Sequence, residues 1–93
     1  MGKMILEGFI VVPEEDMPLV LEVLPDHIKK TREEPGCLMF QVDRDPATKD
    51  RLNVYEEFSS PEAFAYHQQR TQASRWAQVT RNVERHYQVK EVG

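Results

Sequence analysis

The stretch from Pro35 to His67 constrains the fold more than any other part of the chain, because two strand-like runs, a turn and a helix start follow one another without a spacer. Pro35-Gly36 is a breaker pair that launches a strand. Cys37 to Asp43 mixes apolar and β-branched residues without helical spacing, and Leu52 to Phe58 does the same. Between them, Asp45-Pro46-Ala47-Thr48-Lys49-Asp50 is turn chemistry, since aspartate side chains bond nearby backbone and Pro46 presets φ. The two runs therefore read as a β-hairpin. Ser59 or Ser60 then caps a helix whose first turn holds Pro61, where the missing N–H costs nothing. Glu62 places a negative charge at the positive end of that helix. The helix carries Phe64, Tyr66 and His67, and this junction is where chemistry is expected.

The flanks complete the pattern. Met4 to Val12 reads as a strand, with Gly8 marking a bulge or a close backbone approach. Pro13 ends it, and Glu14-Glu15-Asp16 favour a helix start. Met17, Val20, Leu21, Leu24 and Ile28 form a one-face helical stripe. Pro18 is tolerated near its start, whereas Pro25 is expected to kink or split the helix. Lys29, Lys30 and Arg32 suit its C-terminal end. The second helix is expected from Pro61 to about Gln69, and Thr71 as the cap of a further one carrying Trp76 and Val79. Val83 to Val92 alternates like a strand with one wet face. The order β-α-β-β-α-β is the ferredoxin-like α+β pattern: four antiparallel strands with helices on one face, in one domain over residues 1–93.

In that arrangement Leu38, Phe40 and Val42 share one sheet face, and Cys37, Met39 and Gln41 the other. Leu52, Val54 and Phe58 likewise oppose Asn53, Tyr55 and Glu57. The face without helices carries bulky groups, and burying it against a second copy predicts a homodimer through the sheet faces. A chain of 93 residues has a small core of its own, which favours such an assembly.

Bulk properties narrow the function classes. Net charge is −4, with basic and acidic residues interleaved, so no nucleic-acid footprint is read. Arg70, Arg75, Arg81 and Arg85 read as a solvated helix face. The longest apolar run, Phe9 to Val12, is too short to span a membrane, so none is expected as a partner. A single cysteine, Cys37, and no signal-peptide layout point to a reducing, cytoplasmic setting. Cys37 itself reads as a small buried hydrophobe.

His67 is the candidate catalytic residue, because it shares a helix face with Phe64 and has the intrinsic pKa of a general base or proton shuttle. The alternative is a histidine hydrogen-bonded within the core. Trp76, Tyr55, Phe40 and Asn53 are the candidate substrate-contacting residues. The aromatic members suit a flat ring by offset stacking, or else simply fill the core. No metal site is expected, because His27, His67 and His86 lack ligand spacing. The acidic pairs Glu33-Glu34 and Glu56-Glu57 are expected not to converge, since neighbours point to different faces. There is no phosphate loop, nucleophile elbow or dinucleotide fingerprint.

Glu34-Pro35-Gly36-Cys37-Leu38, the turn Asp43-Arg44-Asp45-Pro46, Tyr55-Glu56-Glu57-Phe58 and Ala63-x-x-x-His67 together resemble the antibiotic biosynthesis monooxygenase family. The resemblance spans nearly the whole chain and implies a dimeric α/β barrel of ferredoxin-like subunits. It implies oxidation of a small phenol or quinol by O₂ with no cofactor, His67 standing where many members place a histidine beside the pocket. Trp76 falls on the following helix, which lines the site in the family. The haem-degrading branch is disfavoured: it has a tryptophan where His67 stands, and neither its iron-binding histidine near Trp76-Ala77 nor its first-strand asparagine is present. A non-catalytic binding or sensing dimer, and an isomerase or processing enzyme for a small signalling metabolite, are the alternatives.

Overall fold

The computed structural model describes residues 2–93. Strand β1 (Lys3–Val11) leads through a short 3₁₀ turn at Glu14–Asp16 into helix α1 (Met17–Arg32). Strands β2 (Cys37–Arg44) and β3 (Arg51–Phe58) form the hairpin, followed by helices α2 (Pro61–Gln72) and α3 (Arg75–Val79) and strand β4 (Glu84–Val92). The sheet order is β2-β3-β1-β4, and every pairing is antiparallel. This is the ferredoxin-like arrangement. α1 packs over β2, and α2 over β1 and β3. The core beneath them is built on Leu6, Ile10, Val20, Phe40, Leu52 and Val54.

Local chemistry accounts for most boundaries. Ser60 caps α2, its hydroxyl accepting the Ala63 N–H at 3.1 Å, and Pro61 occupies the first helical turn. In the hairpin turn the Asp45 carboxylate accepts the N–H groups of Ala47 and Thr48 at 3.0 and 2.8 Å. Gly8 has φ of +153°, and a Cβ there would sit 1.9 Å from the His86 carbonyl oxygen. Close approach of β4, and not a bulge, is what position 8 requires, because both β1 pairings run in continuous register.

Four expectations need correction. α1 runs unbroken through Pro25, which lies at an exposed position. The buried face of α1 is Val20, Val23, Leu24, His27 and Thr31, so the stripe is rotated toward two polar residues, while Leu21 and Ile28 are only half-buried. A register shift between Cys37 and Met39 makes Leu38 the extra residue of a β-bulge. Leu38 is thereby 55% exposed, and Cys37 instead joins the helix side, packed against the core. Finally, α2 continues past Gln69 to Gln72, so Thr71 lies inside it and Ser74 occupies the cap position of α3.

β4 pairs with β1 in continuous register, but the expected single wet face is not what forms: all its residues are exposed, because it is an edge strand. Among the described residues no helix is long and apolar enough to cross a membrane.

Candidate functional site

Alternation along β3 directs Leu52, Val54, Glu56 and Phe58 under the helices, and each of them is buried. Three of these are apolar, so Glu56 places a carboxyl group in a core position. α2 lies above it. One turn of that helix carries His67, Arg70 and Thr71, and the 4% exposed His67 ring rests on Phe58 at 4.8 Å between centroids. From α1 and the segment after it come His27, Thr31 and Glu34, all buried. α3 adds Trp76.

These groups form a directed network. Glu34 Oε2 accepts Arg70 Nε–H at 2.6 Å and lies 3.0 Å from His67 Nδ1. Arg70 Nη2 donates to Thr31 Oγ1 at 2.9 Å. A carboxylate paired with arginine has only acceptor sites, so His67 Nδ1 carries the hydrogen and its Nε2 presents a lone pair. Facing Nε2 are the Thr71 hydroxyl at 3.5 Å and Glu56 Oε1 at 3.8 Å. Burial lowers the His67 pKa, opposed by its bond to Glu34, so the ring is neutral near pH 7. Burial, then repulsion from Glu34, lifts the Glu56 pKa to about 8. Burial chiefly, with the charges of His67 and Arg70, drops that of His27 to about 3. The neutral His27 ring stacks on Trp76 at 4.6 Å and 4°, making a flat wall. Burial and the two glutamates also push the Cys37 thiol up, away from thiolate reactivity.

A cleft of about 350 Å³ opens onto this network, reached by Trp76, His67, Glu56, His27, Arg85 and Tyr87. Larger depressions, of about 710 Å³ on the open sheet face and 880 Å³ between the hairpin turn and the start of α1, are lined by no buried ionisable side chain. Among the described residues no group of three or more His, Cys, Asp or Glu has metal-binding geometry.

Of the residues singled out from the sequence, His67 and Trp76 line the cleft, and Phe40 backs it, 5.7 Å from the His67 ring and 5.3 Å from His27. Tyr55 and Asn53 lie on the opposite sheet face, as alternation with Val54 and Glu56 requires. Tyr55 bonds Glu57, and the Asn53 amide donates to Asp45 Oδ1 at 2.9 Å, bracing the turn. The acidic pairs do converge, through one member each: Glu34 and Glu56 flank the two nitrogens of His67. Arg70 serves this network and is not a merely solvated side chain, while Arg85 stands on β4 with its guanidinium on Thr80. The sequence reading does not place Glu34, Glu56, Arg70 or His27 at the cleft. A glutamate at an inward β3 position, an arginine three residues after His67, and a histidine in phase with Val20, Val23 and Leu24 were legible signals. Glu34 had none.

The fold and site define a class: a ferredoxin-like domain with a histidine, held by a buried glutamate, facing a cleft between sheet and helices. A model of the antibiotic biosynthesis monooxygenase family matches residues 4–79, and the chain belongs to that family. Solved structures agree in fold. A candidate antibiotic biosynthesis monooxygenase from Nitrosomonas europaea superposes with a TM-score of 0.81 at 15% identity, over 100% of this chain and 91% of that one. A second, from Deinococcus radiodurans, gives 0.76 at 21% identity, over 97% and 92%. A conserved protein of Bacteroides thetaiotaomicron gives 0.78 at 18%, over 98% of both. No curated protein matches the chain.

Proposed function

We propose that this protein is a cofactor-independent monooxygenase acting on a small hydroxyaromatic or quinol-type compound. The observation that carries the reading is the His67 ring held by Glu34 at Nδ1, with its Nε2, met only by the Thr71 hydroxyl at 3.5 Å, turned toward a cleft walled by Trp76 and His27. A neutral, oriented imidazole in a desolvated site is suited to take a phenolic proton. The phenolate passes an electron to O₂, the radical pair recombines at a ring carbon, and the hydroperoxide loses water to leave a quinone. Written for a hydroxynaphthalene, C₁₀H₈O and O₂ become C₁₀H₆O₂ and H₂O. The ring gives up four electrons, and O₂ ends as one carbonyl oxygen and one water.

His67 is the base in this reading. Trp76, with Phe40 behind, holds the ring and excludes water, while Glu34 and Arg70 are positioning residues. A homodimer through the open sheet faces completes the assembly, supported by Met39, Phe9, Ile5 and Val92 on that surface.

The test is O₂ uptake by chelator-treated protein with quinols and hydroxynaphthalenes, beside His67→Ala. Uptake above autoxidation that falls by about 10²–10⁴-fold in the variant is expected. Saturable quenching of Trp76 fluorescence without uptake would instead assign the chain as a binding module. Conversion of a ligand without O₂ consumption would make it an isomerase or processing enzyme.

A further inference from the structure

Glu56 is a buried carboxyl group in the cleft that the scheme above does not use. It is 6% exposed, its Oε1 has no hydrogen-bond partner, and no lysine or arginine among the described residues pairs with it. The titratable groups around it are Glu34 from the α1–β2 connection, Cys37 from β2, His67 from α2, and Tyr87 from β4. Arg85 sits at the same cleft but spends its guanidinium on the Thr80 carbonyl and hydroxyl. A buried carboxyl without a cation, and with a second carboxylate nearby, holds its proton. Such a group is a hydrogen-bond donor.

Its placement gives that donor a target. Glu56 Oε1 and His67 Nε2 are 3.8 Å apart, too far to bond each other. An oxygen atom set about 2.8 Å from each closes a triangle on that base, with good hydrogen-bond lengths to both. We propose that Glu56 and His67 form an oxygen notch that grips the reacting hydroxyl of the ligand, Glu56 donating to the ligand oxygen while His67 Nε2 accepts its proton. When the O–H bond breaks and the N–H bond forms, the oxyanion is left between two donors, the carboxylic acid and the imidazolium. In a site shielded from water that arrangement stabilises the anion far more than solvent would. The notch therefore selects neutral hydroxyl-bearing ligands over their hydrocarbon analogues, and when Glu56 ionises the ligand oxygen loses its donor, leaving the carboxylate and His67 Nε2 to compete as acceptors for a single O–H. This rests on the reading of His67 as the proton acceptor.

The experiment is calorimetric binding of 2-tetralol, a bicyclic alcohol that neither ionises nor reduces O₂ in this range, against tetralin, its hydrocarbon. Wild type at pH 6.5 is expected to prefer the alcohol by about ten-fold, the equivalent of one good hydrogen bond. That preference is expected to fall by pH 9, because the alcohol then keeps only the bond it donates and loses the one it accepted from Glu56. Glu56→Gln, which keeps an N–H donor but cannot ionise, is expected to retain it at both pH values. Wild type that does not distinguish the two ligands, or keeps its full preference at pH 9, overturns the notch. So does a folded Glu56→Gln protein without preference at pH 6.5. The wild-type profile requires no variant, so it decides the matter even if Glu56→Gln fails to fold. Absence of O₂ uptake with the preference intact sinks the monooxygenase reading and leaves the notch. Uptake with no preference does the reverse.

Discussion

Glu56 and Glu57 follow one another along β3 and point to opposite faces of the sheet. On the open face, Glu57 accepts from the Tyr55 hydroxyl and from Lys3 Nζ at 3.1 Å, and these bonds hold its pKa below the usual carboxylate value. Asn53 braces Asp45, and Phe9 lies between the His86 ring at 4.6 Å and the Arg51 guanidinium at 3.7 Å. Among the described residues the buried side-chain polar atoms without a partner are Arg51 Nε and, on the helix side, His27 Nδ1, Glu34 Oε1 and Glu56 Oε1. These open-face groups can trade partners with water, and the bonds they make tie strands together. Buried ones are left with unmet capacity and shifted proton affinity, which is the property a site needs.

The comparison breaks most directly at Glu34. Glu34→Ala strands Arg70 and the His67 Nδ1–H, and a loss of about 3–5 kcal/mol in urea unfolding is expected, as for a broken buried charge pair. A loss within the range of an exposed pair would mean the network is not the organised element described here.

Glu56→Gln sharpens it through pH. The unfolded carboxyl titrates near 4.5 and the folded one at about 8, so the folded state holds the extra proton between them. The contribution of Glu56 to stability is complete below pH 4.5 and is lost as pH rises to 8. The melting temperature of Glu56→Gln minus that of wild type should therefore climb from pH 5 to pH 8.5. A flat difference would place Glu56 in the same category as Glu57.

His27 gives the opposite slope. Its folded pKa of about 3 lies below the ordinary 6.5, so the unfolded chain takes up the proton first and stability falls as pH drops below 6.5. His27→Phe, which keeps the stack on Trp76, should remove that acid sensitivity, read as a melting-temperature difference that widens toward pH 4.

The smallest effects belong to the open face. Tyr55→Phe and Asn53→Ala should leave binding of bicyclic ligands to the cleft unchanged in calorimetry, with only a slight loss of stability from the slacker turn in the Asn53 variant. Weakened binding in either would require the cleft to extend through the sheet or across a dimer.

Much of this molecule was legible before its coordinates. Periodicity, turn chemistry and the Ser60-Pro61 start gave the element order, because each of these acts within a few residues of chain. His67 and Trp76 could be picked out as the residue types that carry proton transfer and ring stacking. The misplaced residues trace to particular causes. The bulge at Leu38 reverses the faces of Cys37 and Leu38, and no local signal announces it. Tyr55 and Asn53 drew notice for their side chains, although their phase in β3 already put them opposite Glu56.

Which segments become strands and helices, and which residues of β3 face inward, follow from short-range sterics and alternation along the chain. That Glu34, 33 residues before His67, holds its Nδ1 while Glu56 stands off its Nε2 is a matter of packing. Those relations depend on how α1, β3 and α2 pack together, and so does the burial that sets the proton affinity of each group. Neither is written in the spacing of residues along the chain.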